Sequence, residues 1–273
     1  MTAEQVNRVR EWFLAHVRQF ADPSGELHAM IQLKLNHSFR VCADALEIAR
    51  DLGWDESHVR TAECLGLLHD CARFPQYHEF RTFSDQRSFD HGEKAYDIVC
   101  EQDPISDLAA PLRRSVLTGI RYHNRRRIPD EVTGLDLAMT RLVRDADKVD
   151  IMFVISDAIL NDRIKDYPEI TLHIDTKGPP TEALVREILD HRAGSYQNVH
   201  TLADMNLLRL CWVYDINYLP TIRRMLDRGL YADICRTIPD TPDIRRIKES
   251  IGGFMHDLVD RGEPVLHPTP PTP

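Results

Sequence analysis

Two histidines and two aspartates, far apart in a chain of 273 residues, have the types and placement of a metal site: His37, the adjacent pair His69-Asp70, and Asp147. His37 shares a helical stripe with Leu33 and Val41, His69-Asp70 close the apolar run CLGLL, and Asp147 lies three or four residues from Val143 and Ile151. All four positions therefore face inward. A buried, ionised carboxylate is costly unless it is paired or bound to a cation. Neighbours on one helix diverge by about 100°, yet side chains of different reach can bring both members of a His-Asp pair to one ion in a groove. Two imidazoles and two carboxylates form a mixed nitrogen and oxygen set that suits Mn, Fe, Mg, Zn or Ni. Taken singly, each residue has a plainer reading, as a satisfied core histidine or as one charge in a solvated run such as RDADKVD. The ordered set is what points to a metal.

Nearly every element that must hold these residues reads as a helix, so the predicted fold class is all-α. Thr2-x-x-Gln5 resembles a capping box, and Val6, Val9, Trp12 and Phe13 form one apolar face behind it. A second helix is predicted from about Leu27 to Asp51 and a third, capped by Asp55, through CLGLL to a stop at Pro75. The third is apolar on all sides and should be buried all round. Residues 76–88 read as an irregular polar loop. Asp90-x-x-Glu93 caps a helix with His91 in its first turn, and Pro111 opens one that ends at Tyr122-His123. A long helix from about Leu135 carries Asp147. Residues 167–180 are less regular, with TLHIDT as a short extended piece, and helices resume at Glu182, Ala203, Ile222 and Pro242. The expected division is an N-terminal helix over 1–26, a metal-binding core over 27–165, a C-terminal helical extension packed on it over 166–262, and a proline-rich disordered tail over 263–273.

Bulk properties exclude several classes. A formal charge of -9 argues against a nucleic-acid surface spread over the molecule, while leaving room for a small basic pocket. The amphipathic start lacks the apolar core of a signal peptide, and there is no apolar run of bilayer-spanning length. The six cysteines show no CxxC spacing and read as free, mostly buried thiols, which makes the cytoplasm the expected location. There is no Gly-rich phosphate loop, GxSxG elbow or GxGxxG.

The order His37, His69-Asp70, Asp147 resembles the H…HD…D signature of HD-domain phosphohydrolases, and the words around it are similar too: LNHSFRVCADALEIA, GLLHDCARFPQ, SFDHGEKAYDIV, IRYHNRRRIP and RLVRDADKVDIM. TLADMNLLRLCWVYDINYLPTI looks like the C-terminal helices of a bacterial branch of that superfamily. The resemblance implies an HD helical bundle with additional C-terminal helices, and metal-dependent hydrolysis of a phosphoester by an activated water. It implies that His37, His69, Asp70 and Asp147 hold the first divalent metal ion, with Asp70, His69 and Asp147 at the reacting centre. His91 and His123 match positions that hold a second ion in some relatives. Here His123 is followed by Asn124 where those relatives often read His-His, so a second metal and a phosphate contact are both open for this pair.

A phosphorylated substrate, a nucleotide or another small phosphoester, needs cations. Arg40 is one turn from His37, Lys94 is one turn from His91, and Arg73 matches the arginine of the HDxxRF motif. Lys148 follows Asp147 as basic residues do in relatives. Asp85 and Gln76 could shape the pocket. Arg125 to Arg127 read as solvated loop charges, and Asp145 and Asp150 as salt-bridge or cap partners. HDCAR lacks the acid of the HDxxE deoxynucleoside monophosphatases, which weakens that assignment. Two other readings stand beside the hydrolase: a di-iron oxygenase of HD type, and a non-catalytic nucleotide sensor. The apolar C-terminal helices are compatible with a homodimer.

Overall fold

Capping side chains mark where six of the helices begin. The computed structural model describes residues 1–171 and 174–266. In α1 (Ala3–Arg18), Thr2 and Gln5 exchange the two side-chain to backbone bonds of a capping box. The helix α2 (Ala29–Asp51) begins two residues later than expected, because the His28 ring accepts from Met30 N and serves as the cap. The Asp55 carboxylate accepts from His58 N at the head of α3 (Glu56–Leu68). Asp90 accepts from Gly92 N and Glu93 N at the head of α5 (His91–Gln102), and Pro111 lies in the first turn of α6 (Ala110–Tyr122).

One expectation is corrected between these helices. Pro75 does not stop α3, which ends at Leu68, but sits in the first turn of a separate helix, α4 (Arg73–Phe80). A first-turn proline costs nothing there, since its missing N–H has no intrahelical acceptor. Residues 76–80, expected in a loop, are thus helical. The long α7 (Gly134–Leu160) follows as expected.

The chain divides into two compact units, Met1–Asp150 and Ile151 onward. In the first unit α3 is the central rod: α2, α1 and α6 pack on it, α4 packs on α2, and α5 packs on α6. Every residue from Thr61 to Leu68 is buried, as its all-round apolar pattern requires. Two glycines permit the close approach. A Cβ on Gly66 would lie 2.9 Å from the Cys42 Cα, and one on Gly119 would lie 2.6 Å from Leu65 Cδ2. The contact at Gly66 brings α2 and α3 together near the level where His37 and His69 project.

In the second unit, α8 (Glu182–His191), α9 (Leu202–Cys211), α10 (Leu219–Asp227), α11 (Leu230–Arg236) and α12 (Pro242–Arg261) follow in order. Here α12 packs on α8, α9 and α10, and α11 packs on α9 and α10. The short α11 had no counterpart in the sequence reading. It is seven residues long and buries only Leu230 and Ile234, too few to show a period. Within TLHIDT, Leu172 and His173 lie outside the described residues, and Asp175 makes an isolated bridge to Thr201. Of the tail, residues 267–273 lie outside the described residues. Before them, Pro264 O accepts from Leu219 N and Leu266 N donates to Asn217 O. Among the described residues there is no strand, and no helix is long and apolar enough to cross a membrane. All six cysteines are free.

Candidate metal centre

Five helices converge on the turn that carries Asp70. His37 comes from α2, His69 is the residue that closes α3, Asp70 follows in the turn, His91 opens α5, His123 closes α6, and Asp147 lies on α7. His37, His69, Asp70, His91 and His123 are buried; Asp147 is the member of the set that reaches solvent, with 20% of its side chain exposed.

The two carboxylate oxygens of Asp70 face two different groups. Asp70 Oδ2 lies 3.4 Å from His37 Nε2 and 3.7 Å from His69 Nε2. Asp147 Oδ1 joins this side at 3.2 Å from His37 Nε2 and 3.8 Å from His69 Nε2. Asp70 Oδ1 lies 3.5 Å from both His91 Nε2 and His123 Nε2, which are 3.1 Å from each other. His37, His69 and Asp70 form one group with metal-binding geometry, and Asp70, His91 and His123 form another.

Every one of the four imidazoles has its other nitrogen tied down. His37 Nδ1 bonds Asp150 Oδ2 at 2.6 Å, and His91 Nδ1 bonds Asp85 Oδ2 at 2.6 Å. His69 Nδ1 donates to Gly66 O and His123 Nδ1 to Ile120 O, each at 2.7 Å, as rings at helix C-termini can. An acceptor at Nδ1 puts the proton there and leaves the Nε2 lone pair for a ligand. His37 Nε2 and His69 Nε2 have no hydrogen-bond partner although buried. Across the second group, His91 Nε2 and His123 Nε2 present lone pairs to each other at 3.1 Å. A shared cation resolves both features, so the residues fit divalent metal.

The electrostatics of the site point the same way. Burial pushes His69 down to about 3 against the opposing pull of Asp70 and Asp147, and burial with Arg73 pushes His91 down to about 4 against Asp85 and Asp70, so both rings are neutral donors of a lone pair. Burial and Lys34 also oppose a charge on His37. The carboxylates of Asp147, Asp150 and Asp70 outweigh them and push it up to about 10. Burial disfavours the Asp70 and Asp147 carboxylates too, but Lys34 with the surrounding imidazoles holds Asp70, and His37 with His69 holds Asp147, well below the usual range. Lys34 and a charged His37 thus balance these buried carboxylates.

The remaining residues singled out by sequence take varied places. Asp150 was read as a salt-bridge partner, and it bonds Arg40 Nε at 2.5 Å and Nη2 at 3.1 Å while also orienting His37. Arg73 donates to Gln76 Oε1, Phe83 O and Asp85 Oδ1, and its Nε is 3.5 Å from Asp70 Oδ1, so it holds the 73–85 segment against the site. Gln76 is fully buried and bonds Asp85, Ser88 and Phe89 O. Lys148 is buried beside Asp147, and Lys94 is half-buried on α5. Arg125 pairs with Asp90 and Glu93. Asn124, the departure from His-His, turns its amide to Asp90 at 2.8 Å and supports the head of α5.

Sequence reasoning missed two residues. Lys34 Nζ donates to Asp70 Oδ2 at 2.7 Å; its place at i−3 from His37 was the available signal. Arg144 Nη1 donates to the carbonyls of His123 and Arg125, fixing the end of α6.

The family described as HD domain matches residues 35–152, the stretch that contributes every one of these converging histidines and aspartates. Residues 35–152 thus carry an HD domain. HD domains are typically metal-dependent phosphohydrolases, and the His/Asp groups here can hold metal. No curated protein and no solved structure matches the chain.

Proposed function

We propose that this chain is a metal-dependent phosphohydrolase that cleaves a phosphoester of a nucleotide or another small phosphorylated molecule. The observation that carries the reading is the double-faced Asp70, with each carboxylate oxygen turned to its own pair of imidazole Nε2 atoms. His37, His69, Asp70 and Asp147 would hold one divalent ion, and Asp70, His91 and His123 a second. A divalent ion supplies charge to neutralise phosphoryl oxygens and lowers the pKa of a water, toward about 7 in favourable cases.

The protein's own groups then have separable tasks. Asp150 and Asp85 keep His37 and His91 in the tautomer that presents Nε2. Gly66 O and Ile120 O do the same for His69 and His123. Asp147, partly open to solvent, stands where a small substrate and its attacking water enter, and its carboxylate is placed to orient that water. Arg40, Arg73, Lys148 and Lys94 form the basic surround assigned to the substrate. The net charge of -9 disfavours a polymeric nucleic-acid substrate, and a cytoplasmic setting accords with six free cysteines.

The test is metal analysis of the purified protein, followed by phosphate release from a panel of nucleotides and sugar phosphates with Mn, Mg, Fe, Ni and Co. Asp70→Ala and Asp147→Ala should each lose bound metal and turnover together. Full hydrolysis by the metal-free double variant would falsify the reading. Oxygen consumption with iron, without phosphate release under any metal, would move the chain to the oxygenase class.

A further inference from the structure

Lys34 lies one helical turn before His37 on α2, and its ammonium donates to Asp70 Oδ2 at 2.7 Å. The same oxygen faces His37 Nε2 at 3.4 Å and His69 Nε2 at 3.7 Å. A cation between those three groups would share the Asp70 Oδ2 oxygen with the Lys34 ammonium. Two positive charges on one buried carboxylate oxygen repel strongly at reduced dielectric. Ion and ammonium are therefore competitors for Asp70.

We propose that Lys34 is an exchangeable counter-ion: it neutralises Asp70 in the ion-free protein, gives way to the metal, and is then the cation that grips the substrate's phosphoryl group. This rests on the phosphohydrolase reading above and adds a residue and a sequence of events to it.

Three observations carry it. Two other cations near the site are held by the protein: Arg40 by Asp150, and Arg73 by Gln76, Phe83 O and Asp85. Lys34, by contrast, is bonded to the group that metal binding would take from it. Its side chain is 16% exposed, so it stands at the solvent boundary of the site, as Asp147 does at 20%. Its ammonium is 5.5 Å from the centroid of the Phe83 ring, a face that favours a cation released from Asp70. The residue type also suits the task. A lysine is a compact charge on a flexible stem, able to change partners, where the planar fork of arginine suits a fixed one.

The experiment compares the wild type with Lys34→Met and Lys34→Arg in two titrations, Mn²⁺ into the ion-free protein and inorganic phosphate into the Mn²⁺-loaded protein. Methionine keeps the stem length and the helix propensity. For Lys34→Met, the Mn²⁺ Kd should fall about tenfold because the competitor is gone, and the phosphate Kd should rise about tenfold, the scale of one charge-assisted hydrogen bond. Lys34→Arg keeps the charge and should hold phosphate within about threefold of wild type. A purely structural lysine would move both constants the same way or neither. If Lys34→Met binds Mn²⁺ no more tightly than wild type, or phosphate as tightly, the proposal is overturned while a wild type that binds Mn²⁺ and releases phosphate keeps the function. If the wild type binds no divalent ion, function and proposal fall together.

Discussion

Asp150 Oδ2 lies 2.6 Å from His37 Nδ1 while its other oxygen takes Arg40 Nε, so one buried carboxylate fixes the ring orientation of a proposed metal ligand. Asp85 plays the corresponding part for His91, again at 2.6 Å. These carboxylates touch no Nε2 themselves. Removing either should cost about 10–100-fold in metal affinity, the usual effect of losing an outer-shell partner. The two are also separable, because they serve opposite oxygens of Asp70. Asp150→Ala should weaken the ion held by His37 and His69, and Asp85→Ala should weaken the one held by His91 and His123. A chelator-competition titration with metal stoichiometry distinguishes them. Two ions bound at wild-type strength in Asp85→Ala would free the second site from any dependence on Asp85, and a single ion bound by the wild type would remove that site from the reading.

A folded site whose anions are balanced mainly by a raised His37 and by Lys34 gains stability from any ion that binds the native state alone. At one hundred times its Kd, such an ion adds about 2.7 kcal/mol. For a unit of this size that is a Tm rise of roughly 5–10 °C. Calorimetry with Mn²⁺, Mg²⁺ and Ni²⁺ should show the rise for at least one ion and its reversal by excess chelator. An unchanged Tm with every divalent ion would contradict the metal assignment.

His37, His69, Asp70 and Asp147 were legible in the sequence as an ordered set of ligand residue types bordered by apolar helical residues, although each taken singly has a plainer reading. His91 and His123 were not legible that way. They sit at helix ends, where periodicity says nothing, and only the resemblance singled them out. Lys34 escaped because a lysine at i−3 from a buried histidine has the look of an ordinary solvated charge. Its bond to Asp70 depends on where α3 ends, and that end was itself misread: Pro75 was taken as a stop when it lies in the first turn of α4. The same feature hid the helical conformation of Gln76 to Phe80. Where capping residues marked the boundaries, as at Thr2, Asp55 and Asp90, expectation and structure coincide.

Two glycines should respond to alanine with opposite signs. A Cβ on Gly66 would meet the Cys42 Cα at 2.9 Å and Val41 O at 3.0 Å, both backbone atoms that cannot rotate away. Gly66→Ala must push α3 from α2, at a cost of about 1–3 kcal/mol for overpacking. It should also weaken metal binding, since His69 would move away from His37. Gly253 is exposed within α12, has ordinary helical space around it and nothing within 4 Å of its would-be Cβ. Gly253→Ala should stabilise the chain by about 0.5–1 kcal/mol through helix propensity. Denaturant unfolding of both variants checks the pair, and a neutral Gly66→Ala would mean that the helices have slack at their closest contact.

His16 supplies the acid dependence of stability outside the metal centre. Its ring is buried between Trp12, Phe20 and Phe74, Nε2 donates to Cys71 O at 3.0 Å, and Nδ1 has no partner. Burial lowers its pKa, the bond to Cys71 only partly offsetting it. In the folded state the ring therefore stays neutral at pH values where the unfolded chain, titrating near 6.5, has taken up a proton. More protons on the unfolded state means that stability rises with pH. Its contribution is complete above about 6.5 and is lost as the pH falls below that value, with a limiting slope of about 1.4 kcal/mol per pH unit. His16→Gln keeps an N–H for Cys71 O and cannot take the proton. Wild-type stability should therefore decline relative to His16→Gln as the pH is lowered from 7 to 5. Parallel pH profiles for the two proteins would show that the ring gains its proton without leaving the core.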